Sequence, residues 1–183
     1  MLSARSPANG LRVLDVACGS GVWGIAIAEL DPRAQVTAQD YPVILNETRK
    51  FVERHGLTER YEYLPGDLKA VEFGKEKYDV AILGHILHIE GDRSSRQLFR
   101  RLYRALRSGG RVAIAEMVPN DKRTGPPFPI FFALNMLLNT AVGDTYTLSE
   151  YKDWLQKAGF SKVRTFDIGS HSPLIVATKS EHT

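Results

Sequence analysis

The sequence predicts an α/β fold built on a doubly wound sheet, mostly parallel, with helices on both faces and a C-terminal antiparallel strand pair. Three observations carry this. Short β-branched runs alternate with helical patterns almost from the start of the chain, the order that gives parallel strands joined by crossover helices. A glycine loop, "ACGSGVWG", separates the first run from the first helix, at the corner where such sheets bind ligands. The last two runs, "KVRTFDI" and "PLIVATK", are joined by "GSHSP", a link short enough for a hairpin.

Taken in order, "RVLDVA" reads as a buried strand, and the glycine loop then opens a helix running to about Leu30. Asp31-Pro32 ends it, because proline disfavours helix for the residue before it. "QVTAQD" is the second strand, followed by a helix from about Val43 to His55. "YEYLPGD" and "YDVAILG" supply two more strands across a short connection. An arginine-rich helix follows and is expected to stop at Ser108-Gly109-Gly110, a C-terminal glycine signal. "RVAIAEMV" is the next strand, and "PNDKRTGPPFP" a proline-rich loop. "IFFALNMLLNT" then reads as an apolar helix, and "TLSEYKDWLQKAGF" as a further helix whose Thr147 and Glu150 form a capping box.

With 183 residues, 43% hydrophobic and 25% charged, the chain fits one globular domain spanning residues 1–183. The apolar stretch Pro129–Leu138 is too short to cross a bilayer. "MLSARSPANG" lacks the apolar core of a signal peptide. A single cysteine, Cys18, excludes an intramolecular disulfide and agrees with a reducing compartment. A cytoplasmic protein without membrane association is the expectation. The formal charge is +3, only mildly basic. Arg96, Arg100, Arg104 and Arg107 recur at helical spacing, opposite Leu98, Phe99, Leu102, Tyr103 and Leu106. That is an amphipathic helix with a solvated basic face. No aromatic residues interleave with the basic ones as in single-strand binding, so a nucleic-acid partner is not expected.

Gly19, Gly21 and Gly24 stand in the spacing G-x-G-x-x-G. Glycines there let a ligand approach the backbone, and the helix N-terminus offers N–H groups to negative charge. A dinucleotide pyrophosphate and an amino-acid carboxylate could both use that corner. Three aspartates narrow the choice. Asp15 lies inside the strand before the loop, where dinucleotide binders usually carry an apolar residue, and can orient the loop or meet an α-ammonium. Asp40, at the end of the second strand, suits a ribose diol. Asp67, ending the third, can accept a hydrogen bond from an adenine amino group. Gly24 is expected only to let the helix pack close to the sheet.

"VLDVACGSG", "AQDYP", "GDL" and "LRSGGRVAIAE" together resemble class I S-adenosylmethionine-dependent methyltransferases, Rossmann-like enzymes, over nearly the whole chain. "GHILHIEGD", "AEMVPND", "FFALNMLLNT" and "GDTYTLSEYKDWLQKAGF" resemble, more narrowly, the catalytic domain of small-molecule O-methyltransferases of the caffeate and acetylserotonin type. The resemblance implies S-adenosyl-L-methionine as cofactor. Its site would take Asp15, Ala17, Gly19 and Gly21 from the first corner and Asp40 and Tyr41 from the second. Gly66, Asp67 and Leu68 would come from the third, and His85 from beyond the fourth strand.

The resemblance also makes His88 the general base toward a small, aromatic hydroxyl acceptor, with Glu116 positioning it. Phe132, Asn135, Met136 and Tyr146 are the expected acceptor wall, since methionine and aromatic groups suit a flat substrate. His85, His88, Glu90 and Asp92 have no distinctive metal-ligand spacing, so no metal is expected. Three departures from the family stand out. The chain begins just before the first strand, so the large N-terminal dimerisation domain is expected to be absent. The position of a second glutamate is Thr145, and Gly84-His85 replaces a basic residue near the cofactor. A homo-oligomer or a partner domain would then complete the acceptor pocket. Methylation of RNA or protein, or cofactor binding without catalysis, are the alternatives the residues leave open.

Overall fold

The computed structural model describes residues 10–169 and 172–180; Ser170 and His171, in the expected hairpin link, lie outside them. Seven strands form one sheet: β1 (Arg12–Val16), β2 (Gln35–Asp40), β3 (Tyr61–Pro65), β4 (Tyr78–Gly84), β5 (Leu106–Ala115), β6 (Phe160–Phe166) and β7 (Leu174–Lys179). Five helices accompany them: α1 (Val22–Leu30), α2 (Pro42–Arg54), α3 (Leu87–Ala105), α4 (Pro127–Asn139) and α5 (Leu148–Lys157). The strand order is β3-β2-β1-β4-β5-β7-β6. The first five pair in parallel, while β7 runs antiparallel to both β5 and β6. The doubly wound sheet and its terminal antiparallel pair are as the sequence predicts.

The central strands are apolar on both faces because both are covered. Val13, Val36, Val80 and Ile82 pack against Ile25 and Ala28 of α1 and Leu45 and Val52 of α2. Leu14, Leu83, Val112 and Ile114 pack on the other side against Phe99 and Leu102 of α3 and Tyr151 and Leu155 of α5. Between β1 and β4 the winding reverses, which opens a crevice at the carboxyl ends of those strands. α5 begins at the capping box of Thr147 and Glu150, with both reciprocal bonds made.

Two features of α3 depart from expectation. The helix ends at Ala105, and Leu106 is already in β5, buried and paired with Tyr78. The next pair is Val80 with Arg111, so Arg107–Gly110 bulge out of the ladder. Gly109-Gly110 therefore serve a β-bulge and not a helix C-cap, and burial of Leu106 decides between the two. Arg107 consequently lies off the helix, 3.3 Å from Asp79. Arg96 of the basic stripe is also engaged within the chain, pairing with Asp92, and the neighbouring Arg101 donates to the carbonyls of Leu68 and Val71.

α3 is also broken near its start. Gly91 has φ 77° and ψ 168°, a region essentially restricted to glycine. A Cβ there would stand 2.9 Å from the Val142 carbonyl oxygen. The first turn, which carries His88, is thereby set off from the rest of the helix. The hydroxyl of Ser95, four residues on, is buried without a hydrogen-bond partner.

Candidate active site

Asp15 lies inside β1, one residue before its end at the glycine loop, and is 1% exposed. Its Oδ2 accepts the N–H of Gly24 at 2.9 Å, tying α1 to the strand. Oδ1 is buried and has no hydrogen-bond partner. Burial raises the Asp15 carboxyl from 3.8 to about 7, against the opposing pull of the Gly24 N–H. Burial also pushes the Cys18 thiol up to about 12, leaving it protonated and inert near neutrality.

Gly24 does more than the expected packing, because its amide is the bond to Asp15. A Cβ on it would lie 2.8 Å from the Tyr61 hydroxyl and 2.9 Å from both Asp15 Oδ2 and Val36 Cγ1. Gly24→Ala is therefore expected to destabilise the fold by about 1–3 kcal/mol, read as a lower urea midpoint with an unchanged slope.

The corners are bonded to one another. Asp40 accepts the N–H of Gly19 at 2.9 Å and that of Tyr41 at 2.7 Å. Gln39, buried in β2, accepts from Ala17 N at 3.2 Å and donates to the Gly66 carbonyl at 2.9 Å, joining the first and third corners. The Thr48 hydroxyl of α2 lies 2.6 Å from the Gly19 carbonyl oxygen. Neither Gln39 nor Thr48 stands out in the sequence, beyond being polar in apolar surroundings. Asp67 is exposed and accepts the Lys69 N–H at 2.8 Å, while the Leu68 side chain is buried in the core. His85 is exposed at φ 58° and donates its N–H to the Ala115 carbonyl. Its ring is 6.3 Å from that of Trp23. A Cβ on Gly84 would stand 2.0 Å from the Trp23 indole nitrogen, so the indole lies directly on the end of β4. Trp23 is a pocket neighbour whose one sequence signal is an aromatic residue inside the glycine loop.

Beyond β4, Glu116 follows β5 and is 1% exposed. Its Oε1 accepts the N–H of Leu87 at 2.8 Å, one of the first-turn amides that a helix cannot satisfy internally. Its Oε2 lies 2.9 Å from Nδ1 of the buried His88. One carboxylate thus caps the short turn and fixes the imidazole on it. The pairing assigns the Nδ1 proton to the Glu116 side and leaves Nε2 as the basic atom.

Phe132 of α4 meets the His88 ring edge-on, with centroids 4.9 Å apart, and Phe128 stacks on Phe132 at 6.1 Å. The other residues of the expected acceptor wall lie further along α4 and in the segment after it. Met136 is buried, and exposed Asn135 accepts from Asn139 Nδ2. Tyr146 packs into the core against Trp154 and Tyr151, and burial raises its hydroxyl to about 12. Thr145 is buried, and its hydroxyl lies 3.3 Å from the Pro129 carbonyl oxygen. Among the described residues no group of three or more His, Cys, Asp or Glu side chains is arranged to hold a metal ion.

A sheet of this order, with a glycine corner at the switch point and acidic residues ending successive strands, defines the class I methyltransferase fold. The sequence profile of the O-methyltransferase domain matches residues 6–161, and the chain belongs to that family. It is 32% identical over 170 residues to 3-hydroxy-5-methyl-1-naphthoate 3-O-methyltransferase of Streptomyces sahachiroi, covering 92% of this chain and 49% of that protein. An O-methyltransferase family 2 protein of Planctomyces limnophilus, solved in complex with apigenin, superposes with a TM-score of 0.89 at 27% identity, over 96% of this chain and 53% of that one. Human N-acetylserotonin methyltransferase, solved in complex with S-adenosylmethionine, gives 0.78 at 26% identity, over 98% and 50%. The chain spans about half the length of the curated relatives it matches.

Proposed function

We propose that residues 1–183 form the S-adenosyl-L-methionine-binding catalytic unit of a methyltransferase acting on a hydroxyl of a small aromatic molecule. The buried His88–Glu116 pair carries this reading, because it presents a base beside an aromatic wall at the cofactor edge of the sheet. The residues fit the cofactor. The space above Gly19 is open, with nothing within 4 Å of a Cβ built there. Asp15 holds an unpartnered buried oxygen beneath the same loop, suited to a cationic group. Asp40 has lone pairs beyond its two backbone bonds for a ribose diol, and Asp67 is free to meet an adenine amino group.

When bound, the sulfonium supplies an electrophilic methyl group. The chain's own residues do the rest. The Phe128–Phe132 stack holds a planar acceptor against the imidazole, and Nε2 of His88 takes the acceptor's hydroxyl proton as the oxygen becomes nucleophilic. Glu116 stabilises the resulting imidazolium through Nδ1.

Beside the His88–Phe132 contact, α4 presents an apolar face. α4 turns Phe131, Leu137 and Leu138 outward, 71%, 73% and 74% exposed, beside half-exposed Phe128 and Leu134. Such a continuous apolar face marks an interaction surface. A second domain or a second copy of the chain would cover it and close the pocket. No helix among the described residues is long and apolar enough to cross a membrane.

Calorimetric titration with S-adenosyl-L-methionine tests the cofactor half of this reading. Saturable one-site binding is expected, and the absence of heat at millimolar cofactor would overturn it. Size-exclusion chromatography with light scattering tests the apolar face, where a monomer at all concentrations would argue against self-association.

A further inference from the structure

His88 is held at its backbone as well as its ring. The break at Gly91 takes the first turn of α3 out of the regular helical pattern. The His88 carbonyl accepts instead the N–H of Asp144, at 3.0 Å, from the segment after α4. Gly143 sits so tightly on the same carbonyl that a Cβ would stand 2.5 Å from its oxygen. The Gly143–Asp144 backbone thus fixes where the turn carrying the imidazole lies.

That segment has its own anchor. Arg123, in the loop between β5 and α4, donates from Nη1 to the Thr145 carbonyl at 2.9 Å and to Asp144 Oδ2 at 3.4 Å. Its Nη2 lies 3.2 and 3.1 Å from the two carboxylate oxygens of Glu150. Glu150 Oε2 also accepts the Thr147 N–H, at 2.7 Å, in the capping box of α5. One planar guanidinium therefore spans the Asp144–Thr145 peptide and the first turn of α5, a geometry that lysine cannot reproduce.

We infer that Arg123 is a positioning residue for His88, acting through the amide of Asp144; the inference rests on the reading of His88 as the base. Arg123 is 40% exposed, and an ion pair of that exposure adds little to global stability. Its effect is local. It keeps the 143–146 segment in one register, so that the Asp144 N–H stays on the His88 carbonyl. Thr145 contributes its backbone carbonyl to this clamp.

The test compares the full chain with Arg123→Ala and Arg123→Lys by native-state amide hydrogen exchange and by steady-state turnover. In Arg123→Ala the Asp144 amide is expected to exchange at least about tenfold faster, with β1 and β4 amides unchanged. kcat is expected to fall by about tenfold at unchanged cofactor affinity and unchanged acceptor KM. Arg123→Lys should recover part of each effect. Unchanged exchange at Asp144 would overturn the clamp, and faster exchange with unchanged kcat would overturn positioning of the base. Should the protein neither bind S-adenosyl-L-methionine nor turn over an acceptor, the methyltransferase reading fails separately. The inference is then read from the His88 Cε1–H resonance, which Arg123→Ala should shift or broaden; an unmoved resonance overturns it.

Discussion

Replacing His88 by alanine is expected to lower turnover by about 10²–10⁴-fold, the range for loss of a general base, while leaving affinity for S-adenosyl-L-methionine unchanged. The separation follows from where the residue stands. Its ring contacts are Glu116 behind it and Phe132 in front, and the cofactor corners bond to one another without it. A phenol keeps its proton near neutrality, so an acceptor that has lost its base must react as a poor nucleophile. Acceptors that are already ionised should lose less. Unchanged turnover with a neutral phenol would remove His88 from the chemistry. Glu116→Gln should also lower turnover, because its single amide oxygen cannot accept from both Nδ1 and the Leu87 N–H and offers no charge to the imidazolium.

Asp15→Asn is expected to change the pH dependence of stability. The carboxyl ionises near 3.8 in an unstructured chain and at about 7 in the fold. Between those values the folded state keeps a proton that the unfolded state has released. The contribution of this group is therefore fully present below about pH 4 and is lost as pH rises to about 7. A shift of that size corresponds to about 4 kcal/mol as an upper bound. Asparagine keeps an oxygen for the Gly24 N–H and cannot ionise. In urea the variant should match the wild type near pH 4 and exceed it by a few kcal/mol at pH 8. Parallel pH profiles for the two proteins would show that Asp15 does not carry the effect.

The same substitution should weaken S-adenosyl-L-methionine, because a cationic ligand group favours the ionised carboxylate. Binding to the wild type should release a proton and tighten as pH approaches 7. Calorimetry in buffers of different ionisation heat would show the proton, and Asp15→Asn should not release it.

What was legible in the sequence follows from periodicity and local chemistry. β4 and the upper half of β5 are apolar on both faces and declare themselves as buried parallel strands, while β1 and β2 add buried polar residues, Asp15, Thr37 and Gln39, to the same pattern. The capping box of α5 is local, and so is the proline that ends α1. Glycine pairs are ambiguous: Gly109-Gly110 could end a helix or form a bulge, and the choice rests on Leu106 reaching the core. The His88–Glu116 pair was legible only through family resemblance, since 28 residues separate the two and neither has a local partner. Gln39, Thr48 and Arg123 act through backbone carbonyls and amides of distant loops, which leave no periodic trace. Tyr146, whose type suits an acceptor wall, also packs its ring on Tyr151 and Trp154, a contact that no local pattern announces.

The break at Gly91 separates two kinds of tolerance. The body of α3 answers to the sheet, through Phe99, Leu102 and Ala105, and is held to the constraints of a packed interior. The short turn before the break answers to Glu116 and to the 143–146 segment. Changes in the packed helix alter how well the molecule survives heat or denaturant, while changes in the loops that grip the turn alter where the His88 imidazole points. The two sets of contacts fall on different residues, so the position of the turn can shift while the packed helix keeps its seat on the sheet.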